Sequence, residues 1–240
     1  METLKAGAQK LGLHLTTVQL EQFELYYQDL IDWNRRMNLT SITDYEEVQV
    51  KHFLDSLTII TAIKAIDKNQ RMTVIDVGTG AGLPGIPLKI LLPDIRLMLL
   101  EATLKKTKFL RHVIGGLGLD NVEIVIGRAE EVAHEAQYRE KFDLVLSRAV
   151  ASLPALVELT LPLCAVGGRF IAQKKGNIER EVEQAQKAID ILGGILREVK
   201  SIELEELGDK RYLVIVDKIK LTPAAYPRRP GMPARKPIVS

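Results

Sequence analysis

The residues best suited to chemistry lie in a glycine-rich segment in the first half of the 240-residue chain. A β-rich run over residues 72–77 leads into a loop with glycine at alternate positions, Gly78, Gly80 and Gly82. Glycine lets the backbone turn sharply and approach a ligand closely. The helix expected after the loop begins with unpaired N–H groups that can face polar ligand atoms. The segment therefore predicts a site for a nucleotide-like cofactor.

Two acidic residues beside this loop help to choose between cofactors. The dinucleotide fingerprint is G-x-G-x-x-G, in which a pyrophosphate lies over the helix start. Here the glycines alternate behind Asp76, and an acid in that place suits the amino group of S-adenosylmethionine. Glu101 ends the next expected strand, where an acid can accept hydrogen bonds from both ribose hydroxyls. The loop favours S-adenosylmethionine, while a nicotinamide dinucleotide, or a turn without any ligand, remains an alternative.

Two further segments follow expected strands. Ala129 and Glu130 come after the third strand, in the loop that borders an adenine ring in such sheets. The alternative for them is a plain acidic first turn of a helix. Arg148 comes after the fourth strand, above the reactive centre, where an arginine can bind RNA phosphate or orient a cofactor carboxylate. A surface ion pair is the alternative for Arg148.

The elements that must position these residues alternate between strand and helix. The predicted strands cover residues 72–77, 96–100, 122–126, 142–147, 168–173, 195–204 and 212–218. The predicted helices between them cover residues 83–92, 104–117, 129–136, 153–163 and 178–192. Such alternation predicts an α/β fold with a parallel, doubly wound sheet, and the closing pair of strands predicts an antiparallel hairpin at one edge.

A helical extension is predicted in front of this sheet. Capping-box spacing occurs at Thr16 and again at Thr43, each with a suitable acceptor three residues on. An apolar, aromatic-rich face follows the first cap and is predicted to face the core. Residues 1–66 are predicted to form the helical extension, and residues 67–220 the α/β domain that carries the cofactor loop. Residues 221–240 are a basic, proline-rich tail that is expected to pack on or near the substrate side.

Composition excludes several classes of protein. The formal net charge is only +2, so the chain is no histone-like polycation, and a nucleic-acid surface needs local clustering of basic residues. The one cysteine, Cys164, suits a reducing compartment and a buried core position. The N-terminus lacks a secretory signal pattern, and charged residues interrupt the most apolar stretch, residues 83–100. A cytoplasmic protein without membrane segments is therefore expected.

Several of these segments together resemble one known family. The matching segments are residues 37–42, 52–57, 76–88, 105–110, 127–131, 147–150 and 226–233. Glu101, just before the fourth of them, also matches. On these segments the chain resembles the glucose-inhibited division protein B family, the guanine-N7 methyltransferases of small-subunit (16S) ribosomal RNA. The resemblance implies a class I S-adenosylmethionine-dependent methyltransferase fold, Rossmann-like, with a seven-stranded, mostly parallel sheet, an antiparallel edge hairpin and a helical N-terminal extension.

The resemblance also implies roles for individual residues. Its cofactor contacts fall on Gly78, Leu83, Ala129, Glu130 and Arg148. Arg148 is in addition the residue expected to position the reacting groups. Asp76, Gly80, Gly82 and Glu101 are added as cofactor residues by the loop and strand-end arguments above. Family members usually carry phenylalanine in place of Leu83 and often tyrosine in place of Met37, but the aliphatic side chain of Leu83 should still wall the pocket.

The implied reaction, methyl transfer to guanine N7, needs no general base. N7 has a free lone pair and carries no proton, so the enzyme must mainly hold it close to the sulfonium methyl. The four histidines are scattered without metal-like or triad-like spacing, so no metal is expected. The Asn/Asp-Pro-Pro-Tyr motif of amine methyltransferases is absent after the fourth predicted strand. His52 lies in a matching segment, and both a structural role and a role near the substrate are open to it.

Basic clusters on the second helix of the sheet region and in the tail are expected to bind RNA. They comprise Lys105, Lys106, Lys108, Arg111, Arg228, Arg229, Arg235 and Lys236. An acid-free, proline-rich tail suits an extended arm that tracks phosphates, so neutralising Arg228 and Arg229 is expected to weaken RNA binding without changing cofactor affinity. A solvated helix face and a disordered tail are the alternatives. The target guanine should lie in a loop or an opened stack, because the N7 edge faces the deep groove of duplex RNA.

Three other functions fit part of the sequence. They are a nicotinamide-dependent oxidoreductase, a non-catalytic ribosome-binding factor and a methyltransferase that acts on small molecules. A non-catalytic scaffold would not need the glycine loop with Glu101, and an enzyme for small molecules would not need the basic tail. The expected partner is the small ribosomal subunit with its RNA, and a monomer is expected because no exposed apolar stripe is left over.

Overall fold

One β-sheet positions all the candidate cofactor residues. The computed structural model describes residues 1–63, 71–148 and 150–239. Its strands are β1 (Thr73–Val77), β2 (Arg96–Glu101), β3 (Val122–Ile126), β4 (Phe142–Arg148), β5 (Cys164–Lys175), β6 (Gly194–Ile202) and β7 (Arg211–Lys218). They form a seven-stranded sheet in the order β3-β2-β1-β4-β5-β7-β6. The predicted α/β fold is confirmed.

The strand order reverses between β1 and β4. Strands β1 to β5 pair in parallel, and β1 lies between β2 and β4. β7 pairs antiparallel with both β5 and β6, which confirms the predicted antiparallel hairpin and makes β6 the edge strand. In doubly wound sheets a ligand binds outside the carboxyl ends of the strands at such a switch point. The loops after β1, β2, β3 and β4 are therefore the place to look for a site.

Helices cover both faces of the sheet. They are α1 (Glu2–Lys10), α2 (Thr17–Met37), α3 (Tyr45–Val48), α4 (Asp55–Leu57), α5 (Gly85–Leu91), α6 (Leu104–Gly116), α7 (Ala129–Val132), α8 (Leu153–Thr160), α9 (Glu179–Ile191) and α10 (Met232–Arg235). A π-helical turn (Gln49–Leu54) joins α3 to α4, and a 3₁₀ turn (Thr58–Ala62) follows α4. Residues 45–62 thus form one continuous, irregular helical segment.

Some predicted bounds differ from the structure. β5 begins at Cys164, earlier than predicted, because Cys164 already pairs with Phe142 before a shift of register. The helix predicted over residues 129–136 ends at Val132, and the chain continues in turns. The strand predicted over residues 195–204 ends at Ile202, and a 3₁₀ turn precedes β7. Strand and helix cores were thus predictable, while their ends depend on pairing partners distant in sequence.

The two predicted helix caps have different outcomes. The capping box at Thr16 is confirmed, because its hydroxyl accepts from Gln19 N at 3.2 Å and the Gln19 side chain accepts from Thr16 N at 2.9 Å. The cap predicted at Thr43 is wrong. Asp44 caps α3 instead, with one carboxylate oxygen that accepts from two backbone N–H groups of the first turn. A carboxylate can satisfy both of these N–H groups, which favours the aspartate.

Two apolar clusters fill the two faces of the sheet. Side chains of successive strand residues point to opposite faces, so Val74 joins one cluster and Ile75 the other. The first cluster also contains Phe23 of α2 and Phe53 of the irregular helical segment. The second contains Leu156 of α8. The N-terminal extension therefore covers one face of the sheet and shares its core.

The domain boundary predicted between residues 66 and 67 lies outside the described residues. None of the described helices is both long enough and apolar enough to cross a membrane.

Candidate active site

The loop after β1 needs glycine for steric reasons. Gly78, Gly80 and Gly82 all have positive φ, at 71°, 61° and 90°. A Cβ on Gly78 would lie 2.7 Å from Val150 Cγ2, and a Cβ on Gly82 would lie 2.3 Å from Ile86 Cδ1. No such neighbour crowds Gly80. The loop thus combines a backbone shape that favours glycine with two positions at which no side chain fits without displacing a neighbour.

Asp76, at the end of β1, braces this loop from inside. The carboxylate is fully buried, and its Oδ2 accepts from Thr79 Oγ1 at 2.6 Å and from Gly85 N at 2.9 Å. Burial raises the pKa of Asp76 to about 6, against the two hydrogen bonds, which lower it. Its Oδ1 is buried and has no hydrogen-bond partner among the described residues. The predicted contact with a cofactor amino group stays a prediction, and Oδ1 is the atom left for it.

Glu101, at the end of β2, holds the same loop from the other side. Its Oε2 accepts from Gly80 N at 3.0 Å, and its Oε1 accepts from Thr103 N at 2.7 Å. Each carboxylate oxygen has capacity for a further hydrogen bond. A carboxylate with both oxygens fixed by the backbone at the carboxyl edge of the sheet is well placed to receive ribose hydroxyls.

The loop after β3 adjoins the loop after β2. Gly127 N donates to the backbone oxygen of Glu101 at 3.2 Å, and Ala129 then begins α7. Ala129 and Glu130 are both buried. The Oε1 atom of Glu130 accepts from Gly231 N in the C-terminal tail at 2.9 Å. The structure therefore brings the predicted adenine residues next to the predicted ribose residue, with the tail against them.

Leu83 lies in the glycine loop with only 6% of its surface exposed, in the cluster on the side of the extension. Its backbone N–H donates to Thr79 O at 3.0 Å. This position is compatible with the predicted aliphatic wall of the pocket, which stays a prediction.

Arg148, at the end of β4, forms a buried ion pair that sequence reasoning missed. Its Nη1 lies 3.2 Å from Asp55 Oδ2 and donates to Lys51 O at 3.3 Å. The other oxygen of Asp55 lies 3.3 Å from Arg211 Nε at the start of β7. One carboxylate of the irregular helical segment thus joins two strands. Arg148 does form an ion pair, as the alternative expected, but the pair does not lie at the surface, because both side chains are largely buried.

His52 has partners on both ring nitrogens. Its Nε2 lies 2.8 Å from Thr40 Oγ1, and its Nδ1 lies 3.2 Å from Lys51 O. Burial, together with the positive charge of Arg148, lowers the pKa of His52 to about 4. The ring is therefore neutral at neutral pH, and these contacts support the structural role rather than acid–base chemistry.

Tyr26 of α2 is a second site-forming residue that sequence reasoning missed. Its buried hydroxyl donates to the backbone oxygen of Ala81 in the glycine loop. Burial raises the pKa of Tyr26, so the hydroxyl stays protonated and remains a donor. The apolar stripe of α2 predicted that Tyr26 is a core residue, and no signal in the stripe pointed to its polar contact. The extension thus touches the glycine loop directly.

The basic residues of α6 lie on one exposed helix surface. Lys105, Lys108 and Arg111 are exposed and Lys106 is half-buried. Among the described residues, no acidic side chain forms an ion pair with any of these four. Lys105 and Lys106 stand in the first turn of α6, directly after Glu101 and Thr103, at the carboxyl edge of the sheet.

The tail is folded, so the expected extended arm is wrong. Arg228 pairs with the fully buried Glu158 of α8, with Nη2 2.6 Å from Oε2. Arg229, Arg235 and Lys236 are exposed. Sequence reasoning predicted the same role for the two neighbouring arginines, but the structure distinguishes them because α8 places an acid beside only Arg228. Arg228 is half-buried and already bound to a carboxylate, and its predicted contact with RNA stays a prediction.

Within the described ranges, no group of three or more histidine, cysteine, aspartate or glutamate side chains could hold a metal ion. A doubly wound sheet with a glycine loop after β1, an acid closing β2 and a further loop after β3 beside that acid is the arrangement of a class I methyltransferase.

The chain belongs to the GidB family, described as rRNA small subunit methyltransferase G, whose family model matches residues 19–212. A relative from Dehalococcoides mccartyi (strain CBDB1), named Ribosomal RNA small subunit methyltransferase G, is 53% identical over 240 residues, which is 100% of both chains. The protein is accordingly an enzyme that uses S-adenosylmethionine to transfer methyl groups. The oxidoreductase and the non-catalytic scaffold are set aside.

Solved structures show the same fold at low sequence identity. Precorrin-6y C5,15-methyltransferase from Geobacter metallireducens GS-15 matches with a TM-score of 0.52 and 16% identity, over 68% of this chain and 88% of that chain. M. jannaschii TYW2 in complex with AdoMet matches with a TM-score of 0.51 and 18% identity, over 69% of this chain and 77% of that chain. These two likenesses confirm the class I methyltransferase fold.

Proposed function

We propose that the protein transfers the methyl group of S-adenosylmethionine to N7 of a guanine in small-subunit (16S) ribosomal RNA. The observation that carries the proposal is the junction of three loops at the carboxyl edge of the sheet. There Gly80 N donates to Glu101, and the backbone of Glu101 in turn accepts from Gly127, just before Ala129. The family to which the chain belongs supplies the substrate class.

The residues at this junction fit the parts of the cofactor. Glu101 would accept the ribose hydroxyls, because both of its oxygens are fixed and retain acceptor capacity. Ala129 and Glu130 would contact the adenine, with Leu83 as an aliphatic wall. The backbone of the Gly78–Gly82 loop would lie along the methionine part, and Arg148 would stand at the reacting end, since β4 borders β1 there.

When bound, S-adenosylmethionine supplies an electrophilic methyl group. Guanine N7 is an unprotonated acceptor, so no group of the protein has to remove a proton. The titratable side chains around Arg148 agree with this requirement, because His52 is neutral and hydrogen-bonded and Asp55 is shared between two arginines. The chain's task is then to hold N7 on the axis of the sulfur–methyl bond, and such positioning can lower the barrier by roughly 7–11 kcal/mol.

The RNA would approach along the cationic surfaces next to the junction. The basic face of α6 begins directly after Glu101, and Arg229, Arg235 and Lys236 extend the charge onto the tail. Because the deep groove of A-form RNA hides N7, the target guanine must lie in a loop or an opened stack. We propose further that the protein acts in the cytoplasm, where its substrate is made, and that it acts as a monomer.

The test is transfer of tritiated methyl from S-adenosylmethionine to small subunits that lack this modification, followed by digestion of the RNA to nucleosides. The proposal predicts that the label elutes with 7-methylguanosine and maps to one nucleotide. Bare duplex RNA of the same sequence should accept little label. Label in a pyrimidine or in N2-methylguanosine, or equal labelling of the duplex, would refute the proposal.

A further inference from the structure

The start of the C-terminal tail is fixed by one buried carboxylate. Glu158 of α8 is fully buried, and its Oε1 accepts from Arg228 N at 2.8 Å and from Arg228 Nε at 2.9 Å. Its Oε2 accepts from Arg228 Nη2 at 2.6 Å. Backbone and guanidinium of one residue thus converge on a single carboxylate. Such a pair fixes geometry, because the fully buried Glu158 carboxylate would be strongly unfavourable without its partner.

A second group of contacts holds the segment just before Arg228. Arg139 donates from Nη1 to Tyr226 O at 2.9 Å, and from Nη2 to Thr222 O at 2.9 Å and to Pro223 O at 3.2 Å. The ring Nε2 of His134 lies 2.7 Å from Pro227 O. Both side chains come from the turns that follow α7. The tail is therefore fixed to the same stretch of chain that begins at the proposed adenine position.

A third contact joins the tail to that position itself. Gly231 N donates to Glu130 Oε1 at 2.9 Å, and Glu130 is the second residue of α7, next to Ala129. Gly231 has a φ of 81°, which presents its N–H in a turn that other residues rarely adopt. The short helix α10 starts directly after it.

Chain ends are ordinarily poorly ordered unless specific contacts hold them. Here the contacts are polar, directional and mostly part-buried, and they connect α8, the turns after α7 and the first turn of α7 with one tail segment. Stability alone does not explain why so many polar groups hold this segment, since isolated buried ion pairs contribute little net free energy of folding. A requirement for a fixed α7 accounts for it.

We propose that the tail is part of the cofactor site, and that Arg228 and Glu158 are positioning residues for S-adenosylmethionine. The Arg228–Glu158 pair keeps Gly231 on Glu130, and this contact fixes the first turn of α7 against the adenine ring. The inference rests on the proposed placement of the adenine at Ala129 and Glu130. It also reverses the expectation from sequence, because Arg228 should govern cofactor affinity while Arg229 should govern RNA binding.

The first test uses the unmodified protein. Hydrogen–deuterium exchange is measured by mass spectrometry with and without S-adenosylmethionine, in the absence of RNA. Slower exchange in both residues 129–132 and residues 226–236 on cofactor binding is the expected result. Slower exchange in residues 129–132 alone overturns the inference but keeps the adenine placement. No change in either stretch overturns both.

The second test compares two adjacent substitutions that each remove one positive charge, Arg228→Gln and Arg229→Gln. We expect Arg228→Gln to raise the dissociation constant for S-adenosylmethionine about tenfold by calorimetry, which corresponds to about 1.4 kcal/mol. Arg229→Gln should leave the dissociation constant for S-adenosylmethionine unchanged. It should instead reduce the slope of log affinity for RNA against log salt concentration by about one. Arg228→Lys, which keeps the charge without the planar fork, should bind the cofactor with intermediate affinity. Equal cofactor affinity of folded Arg228→Gln and the parent protein would overturn the inference.

Discussion

The three glycines of the cofactor loop are under different constraints. At position 80 the positive φ is the main reason for glycine. At positions 78 and 82 neighbouring side chains also fill the space that a Cβ would need. Asp76 and Glu101 then fix the loop through backbone N–H groups on its two sides. The loop is thus held by contacts within the protein itself, and a loop held in this way loses less entropy on binding a ligand.

Substitution of Gly82 by alanine tests this shape. Gly82→Ala should lower the affinity for S-adenosylmethionine about tenfold, because the new Cβ would lie 2.3 Å from Ile86 Cδ1 and 2.9 Å from the Tyr26 hydroxyl, both in buried side chains, so that these side chains or the loop must shift. Gly118→Ala is the matched control, since Gly118 has a φ of 62° with no atom within 4 Å of a Cβ. Both variants carry the backbone strain, and only the first carries the clash. Titration calorimetry that gives equal affinities for the two variants would contradict the account.

At the scale of elements, the irregular helical segment (residues 45–62) does more than cover the sheet. It supplies Asp55, which pairs with Arg148 of β4 and Arg211 of β7, and His52, which bonds Thr40. The segment therefore fixes Arg148, the arginine proposed for the reacting end of the site. Its π-helical turn over Gln49–Leu54 matches the frequent occurrence of such turns at functional sites.

Sequence reasoning reached the strands and the loops but not these pairings. Alternating hydrophobicity and glycine spacing are local signals, and they located β1 with its glycine loop, Glu101 and Arg148 correctly. The partners of Arg148 and Arg228 depend on which chain segments meet in space. Asp55 and Glu158 lie 93 and 70 residues away from them, respectively. No local pattern marks such an acid as buried beneath a particular arginine.

The buried His52 gives this segment a pH dependence. The pKa of His52 is lowered from 6.5 to about 4 in the folded state, so the unfolded chain binds more protons between these values and stability falls as the pH falls through them. His52→Gln should remove this contribution. Between pH 6.5 and pH 4 the free energy of unfolding of the variant should therefore fall by about 2 kcal/mol less than that of the parent protein. Denaturant titrations at several pH values measure it, with the exposed His14→Gln as control. An unchanged pH profile in His52→Gln would rule out this contribution.

At the scale of the whole molecule, the extension and the sheet form one core. Phe23 of α2 packs against Phe53 with 5.1 Å between ring centroids, and both belong to the cluster that contains Val74 of β1. Tyr26 continues this contact into the cofactor loop. The extension is therefore not an appended module, and its unfolding should be coupled to loss of the cofactor site.

Cooperative unfolding tests this coupling. Phe23→Ala should lower the free energy of unfolding by about 3–5 kcal/mol and shift one transition, because a fully buried ring is removed from a shared core. Fluorescence of Trp33 in the extension and far-ultraviolet circular dichroism of the whole chain should give coincident curves. The exposed Val18→Ala should change stability by less than about 0.5 kcal/mol. Two separate transitions would show that the extension folds independently.

The most direct test of the central claim is a crystal structure of the protein with S-adenosylmethionine bound. The account predicts both ribose hydroxyls within hydrogen-bond distance of the Glu101 carboxylate, the adenine against Ala129 and the methyl group facing the end of β4. A cofactor bound away from the Gly78–Gly82 loop, or a ribose without contact to Glu101, would contradict it.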